Sequence, residues 1–211
     1  DIFFGSIVIN KSGTPGNNII ISSYGTGVNP IITGLTTVIG WTSTGINLWE
    51  SNFSVSTLAT CKMVVINGRN TPMGRYPNIS STALSPQPEI HPVPGNNGWL
   101  NYEGHSGIGQ ITDNELPVSP NWTGAEAVVK KFNWVIDHGP ITSQANKTIT
   151  FLPSTTDTFF DGMSYFIQND IRTLDEQNEW YYNPTTKKLT IYSISQPTNV
   201  QIATVQNLIV R

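Results

Sequence analysis

The feature that most constrains this chain is the even spacing of three short apolar runs at its start. Ile7-Val8-Ile9, Ile19-Ile20-Ile21 and Ile31-Ile32 begin at positions 7, 19 and 31, a constant step of 12 residues. Between them lie Lys11-Ser12-Gly13-Thr14-Pro15-Gly16 and Tyr24-Gly25-Thr26-Gly27-Val28-Asn29-Pro30, which have turn chemistry and little to pack. β-Branched runs bounded by Gly, Pro and Asn predict strands. A fixed period predicts stacked, solenoid-like rungs. Val200-Gln201-Ile202 and Leu208-Ile209-Val210 return to the same pattern. The expected fold is therefore mainly β with very little helix. Solenoid rungs fill residues 1–50 and 199–211, and an antiparallel β-sandwich or barrel-like domain is inserted over residues 51–198.

The inserted region reads as hairpins. Trp41 and Trp49 bracket one turn, and Met63-Val64-Val65-Ile66 enters a tight turn at Asn67-Gly68. Trp180-Tyr181-Tyr182 and Leu189-Thr190-Ile191-Tyr192 flank Asn183-Pro184-Thr185-Thr186, a third hairpin. Thr148-Ile149-Thr150-Phe151 and Ser164-Tyr165-Phe166-Ile167 are further strands. Residues 125–137 read as one strand with Val128, Phe132, Trp134 and Ile136 on a shared face. Residues 79–98 read as loop, Thr112 as the cap of a single helical turn, and 171–175 as a short helix.

Composition narrows the function. Charged residues make up only 12% of the 211, about half the usual share of roughly 25%, and the net charge is −3. With no basic stripe, a nucleic-acid partner is not expected. Cys61 is the single cysteine, so neither an internal disulfide nor a cysteine zinc site can form. A reducing compartment permits that, and so does a bacterial periplasm or cell surface. No apolar run approaches the ~18 residues of a membrane-spanning helix, so membrane insertion is not expected. The chain begins at Asp1 without Met or a signal peptide, which reads as a processed product or a fragment.

Residues 6–34, with the spacers quoted above, resemble the first rungs of secreted bacterial right-handed parallel β-helix proteins of the Bacteroidetes type. Gly74-Arg75-Tyr76-Pro77-Asn78 and Asn178-Glu179-Trp180-Tyr181-Tyr182-Asn183 resemble segments of a β-domain inserted early in such chains. Relatives of that kind include glycoside hydrolases and, more distantly, polysaccharide lyases. The resemblance implies a secreted, periplasmic or surface protein whose partner is a polysaccharide or oligosaccharide. It also implies a remainder of the β-helix C-terminal to Arg211, with the catalytic carboxylates on those later rungs.

Glycoside hydrolysis needs two carboxylates. Candidates are Asp137, Asp157, Asp161, Asp170, Asp175, Glu176 and Glu179, although turn and cap roles account for several. His91, His105 and His138 are too far apart in sequence for a metal motif, so no metal is expected. No Gly-rich segment has cofactor spacing, so no cofactor is expected. Arg75 is expected to form a structural ion pair with Asp170 or Asp175, or else to reach a glycan acid group. Trp99, Tyr102 and Trp122 lie in loop-rich sequence among Asn residues and are the candidate sugar platforms, because a flat ring matches the apolar face of a pyranose. The alternatives are an adhesin-like binding module, an enzyme whose site lies within these residues, and a scaffold with every aromatic buried.

Overall fold

The computed structural model describes residues 1–79 and 98–211. The Pro-rich stretch expected as loop over 79–98 therefore lies almost wholly outside the described residues, as does His91. The chain is mainly β, with one 3-10 turn, Ile171–Thr173, among the described residues. It divides into two compact units, Asp1–Pro72 with Tyr182–Arg211, and Met73–Tyr181.

In the unit Met73–Tyr181, hairpins build one antiparallel sheet in the order Leu100–Asn101, Ser164–Gln168, Glu126–Phe132, Val135–Ala145, Thr148–Phe151, Gln110–Thr112, Gly104–Ser106. Arg75–Tyr76 also pairs with Ser164–Gln168. The first and last strands of that order are consecutive in sequence. The Tyr102 amide donates to the Met163 carbonyl and the Glu103 amide to the Thr112 carbonyl. One stretch of chain thus bonds both edges of the sheet and closes it, removing the open edges that invite aggregation. Inside, Ala127, Val129, Ile141, Ile149, Phe151, Tyr165 and Ile167 form the core. Gly139 sits where the chain crosses closely: a Cβ there would lie 1.7 Å from the Leu152 carbonyl oxygen.

Two local expectations change in this unit. Residues 125–137 are not one strand but most of a hairpin, with Asn133 and Trp134 at the turn. Ala127 and Val129 face the core, but Val128 and Lys130 on the opposite face are buried as well, and only Trp134 and Ile136, at and beyond the turn, are exposed. The turn after Gln110–Thr112 is capped by Asp113, whose Oδ1 accepts from the Glu115 and Leu116 amides at 2.6 and 3.1 Å, and Thr112 remains in the strand.

The other unit holds two antiparallel arrays. Trp41–Gly45, Leu48–Ser51 and Leu189–Tyr192 lie side by side. Leu35–Thr37, Val200–Ala203, Val64–Ile66 and Arg69–Thr71 form the second array. The hairpin at Asn67-Gly68 has φ of 52° and 76°, the left-handed pair that its turn requires. Residues 51–72 and 182–198, expected in the insertion, thus fall in the terminal unit.

Of the three evenly spaced runs, the first and third enter short parallel ladders and the middle one does not. Ile7–Val8 pairs in parallel with Ile209–Val210, and Ile31–Thr33 pairs in parallel with Ile2–Phe4. Ile19-Ile20-Ile21 forms no strand and is exposed. Apart from an isolated parallel bridge between Met73 and Trp180, those two short ladders are the parallel pairings among the described residues, and no solenoid is detected there. The physical reason is that a run of β-branched residues specifies extended backbone, but a rung also needs a neighbour at one-strand spacing on each side.

Candidate functional site

In the unit Met73–Tyr181, an ion pair buried at one end of the core positions an exposed aromatic cluster. Lys131 continues the inward row of Ala127 and Val129, which brings its ammonium into the core end, fully buried. Asp137 on the partner strand meets it at 2.7 Å, also fully buried. Burial alone would raise the Asp137 pKa. The Lys131 ammonium, the Ser154 hydroxyl and amide, and the His138 amide outweigh it and hold the carboxyl at about 2. Asp137 accepts from the Ser154 amide at 2.8 Å, the Ser154 hydroxyl at 2.5 Å and the Thr155 hydroxyl at 3.2 Å. The pair therefore clamps the segment that runs from Ser154 to Asp161.

Within that irregular segment two adjacent aromatic rings take opposite sides. Phe159 turns inward, its ring centroid 4.8 Å from the Lys131 ammonium and 5.7 Å from the Tyr102 ring. Phe160 turns outward and is 51% exposed, with its amide donating to the Lys131 carbonyl at 3.0 Å. There it meets the hairpin tip. Its centroid lies 4.4 Å from Phe132, which in turn packs edge-on against Trp134 at 4.3 Å. Trp134 is 77% exposed. The Asp161 carboxylate pairs with His105 Nδ1 at 2.5 Å, and the His105 ring stacks on the inward Phe159 at 5.3 Å. The result is two exposed rings braced by a third. Such a set can stack on a sugar.

The platforms expected from sequence lie elsewhere. Tyr102 is fully buried and donates from its phenol to the Lys130 carbonyl at 3.0 Å, and burial with the nearby Asp161 pushes that phenol's pKa up. Trp122 is 2% exposed and stacks on Tyr76 at 5.3 Å. A ring with no free face cannot carry a sugar, so both are corrected to core residues. Trp99 is half-buried, edge-on to Phe166 at 4.9 Å.

Arg75 does not meet Asp170 or Asp175. Its guanidinium lies 3.6 Å from the Phe166 ring centroid, with Nε donating to the Pro77 carbonyl at 3.3 Å and Nη2 donating to the Gly98 carbonyl. Burial lowers its pKa to about 10, partly offset by Glu179. Asp170 instead holds Arg172 at 2.5 Å and caps the 3-10 turn, and Asp175 accepts from Asn78 at 2.7 Å. The Asp170–Arg172 pair spans two residues, where little loop entropy opposes the contact, whereas the Asn78–Asp175 bond joins residues 97 apart.

The remaining carboxylate candidates do not gather into a hydrolytic pair. Glu179 is buried and accepts from the Asp175 and Glu176 amides, both at 3.1 Å, and desolvation raises its pKa. Asp157 and Glu176 are exposed. His138 pairs with Glu126 at 2.7 Å. Sequence reasoning did not single out the one carboxylate cluster among the described residues, Glu103, Asp113 and Glu115, whose oxygens lie within 4.8 Å of one another. Asp113 there is already engaged, accepting from the Tyr165 phenol at 2.7 Å as well as from its own turn, and Glu103 accepts from the Asn114 amide at 2.8 Å. In the terminal unit an open cleft of about 790 Å³, lined by Leu35, Met63, Val205 and Leu208, has Lys62 as its one charged lining residue.

Trp134 and Phe160 are thus the exposed rings that sequence reasoning passed over. Two signals point to them. Asn133-Trp134 interrupts a long apolar run with a turn residue, and adjacent Phe159 and Phe160 cannot readily share one side of the chain.

No protein-family model matches the chain. No curated protein matches its sequence. Among solved structures it is similar to a glycoside hydrolase, with a TM-score of 0.59 and 13% identity over 99% of this chain. The chain spans 39% of the length of that structure, and at this identity the likeness is one of fold: the described residues have a glycoside hydrolase-like, mainly β architecture.

Proposed function

We propose that this chain is the carbohydrate-contacting, non-catalytic portion of a secreted protein that acts on polysaccharide, with Trp134 and Phe160 as its sugar platform. The observation that carries this reading is the exposed aromatic corner held in place by the buried Lys131–Asp137 pair. A fold like that of a glycoside hydrolase supports it. The non-catalytic part rests on the carboxylates, since Asp137, Asp161, Asp170, Asp175 and Glu179 each already serve an ion pair, a cap or a turn. In this reading the two short parallel ladders begin a parallel β-helix, and the chemistry belongs to later rungs of the same polypeptide.

The test is a glycan-array screen of the 211-residue chain beside a reducing-sugar assay. Binding that Trp134→Ala abolishes, without release of product, is the expected result. Release of reducing ends by this chain alone would overturn the non-catalytic assignment. Binding indifferent to Trp134→Ala and Phe160→Ala would overturn the site.

A further inference from the structure

Phe160 is one of the two exposed platform rings, and a single imidazole grips the residues on either side of it. His105 Nδ1 pairs with the Asp161 carboxylate at 2.5 Å, and the His105 ring stacks on Phe159 with centroids 5.3 Å and planes 24° apart. His105 belongs to the strand Gly104–Ser106, so these contacts tether the Phe160 segment to the sheet. Two backbone bonds hold the same stretch. The Phe160 amide donates to the Lys131 carbonyl at 3.0 Å, and the Gly162 amide to the Tyr102 carbonyl at 2.9 Å. The side chains of His105 and Asp161 are 30% and 55% exposed, so protons reach this pair. The Lys131–Asp137 pair, which holds the segment at Ser154 and Thr155, is fully buried.

An imidazole is the side chain that gains or loses charge near neutral pH. Across from His105 on the neighbouring strand lies uncharged Ile111. The segment it faces contributes the Asp161 carboxylate and the Phe159 ring, and beyond that ring, 4.8 Å from its centroid, the Lys131 ammonium is paired with Asp137. The Tyr102 phenol keeps its proton, its pKa pushed up by burial and by Asp161. Glu103, on the stretch that carries His105, accepts from the Asn114 amide at 2.8 Å.

Resting on the platform reading above, we propose that His105 is a positioning residue whose proton sets how firmly Phe160 is held, so that sugar binds more tightly in mild acid than in mild alkali. With its proton, the imidazole faces Asp161 as an ion pair. Without it, a neutral hydrogen bond remains and the charge attraction is gone. For a pair as exposed as this one the change amounts to about two- to threefold in affinity, and salt erodes it.

The experiment follows the 211-residue chain by NMR and titration calorimetry between about pH 5 and about pH 8. Without ligand, the protection factor of the Phe160 amide should fall as the His105 ring signal reports loss of its proton, while that of the Val129 amide does not follow. Affinity for cellohexaose and xylohexaose should fall about two- to threefold over the same range, and less at high salt. His105→Gln, which keeps a donor for Asp161, should flatten both profiles, and His138→Gln should leave both unchanged. A flat wild-type protection profile, or one that survives His105→Gln, overturns the proposal. Protection that tracks His105 while affinity stays flat overturns the link to binding. Protection that tracks His105 while binding survives both Trp134→Ala and Phe160→Ala leaves the tether standing and overturns the platform. If neither hexasaccharide binds, the ligand-free protection factors decide.

Discussion

Ile149 and Ile20 sit in near-identical β-branched runs, yet one is fully buried and the other is 79% exposed. The difference lies in what faces them. Ile149 belongs to a strand paired on both sides within a sheet that closes on itself, so its inward position meets Ile111, Ile141 and their neighbours. Ile20 belongs to the evenly spaced start of the chain, where the runs before and after it pair with other strands and its own forms none. Hydrophobic runs supply the material of a core. Hairpin connections, which place a partner strand a few residues away, supply the second surface that a core needs.

The comparison can be broken most severely at the closed sheet. Gly139→Ala drives a Cβ into the Leu152 carbonyl, and Asp137→Ala leaves the Lys131 ammonium buried without a counter-charge. Each should cost on the order of 3–5 kcal/mol, read as a large fall in melting temperature. Lys131→Met combined with Asp137→Asn, which keeps an oxygen for Ser154 and His138, should recover about half of the Asp137→Ala loss. A combined variant no better than Asp137→Ala would show that the clamp, not the charge balance, dominates.

Acid sharpens the same contrast. The Asp137 carboxyl is held at about 2 against an ordinary 3.8, so unfolding takes up a proton between those values. Its contribution is fully present above pH ~4 and is lost as the pH falls through about 2. Thermal melts of wild type and the combined variant should therefore converge over that window.

Trp134→Ala should leave the melt within about 0.5 kcal/mol of wild type while abolishing sugar binding, measured by titration calorimetry. At the quiet end, Ile20→Ser should change stability by less than about 0.5 kcal/mol. Hydrogen exchange should show the amides of Val129 and Ile167 protected and those of Ile19–Ile21 exchanging fast.

Much of the fold was legible locally. The hairpins at Asn67-Gly68 and at Asn183–Lys187 announce themselves through residues that accept left-handed backbone: Asn67, Gly68 and Lys187 all have positive φ. Parity was not legible. Val128 and Val129 are equally apolar, and only the turn at Asn133-Trp134 shows which faces inward. The site was illegible for the same reason. Trp99, Tyr102 and Trp122 have loop-like neighbours but three-dimensional partners, whereas Trp134 looked like a strand residue until the hairpin tip lifted it into solvent. The Lys131–Asp137 pair was hidden because Asp137 read as one carboxylate among several, and nothing in sequence marks a lysine as inward-facing.

The parallel ladder of Ile7–Val8 with Ile209–Val210 sets an order of events in time. Ser6 and Asn207, bonded at 2.5 Å beside it, are separated by 201 residues. A contact of that span closes the longest loop in the chain and forms after the local hairpins have shortened the path. At synthesis rates of about 5–20 residues per second, the first strand waits roughly 10–40 s for its mate to be made. Over that interval Ile7 and Val8 have no such partner, whereas Ile2–Phe4 meets Ile31–Thr33 as soon as that nearby strand is made.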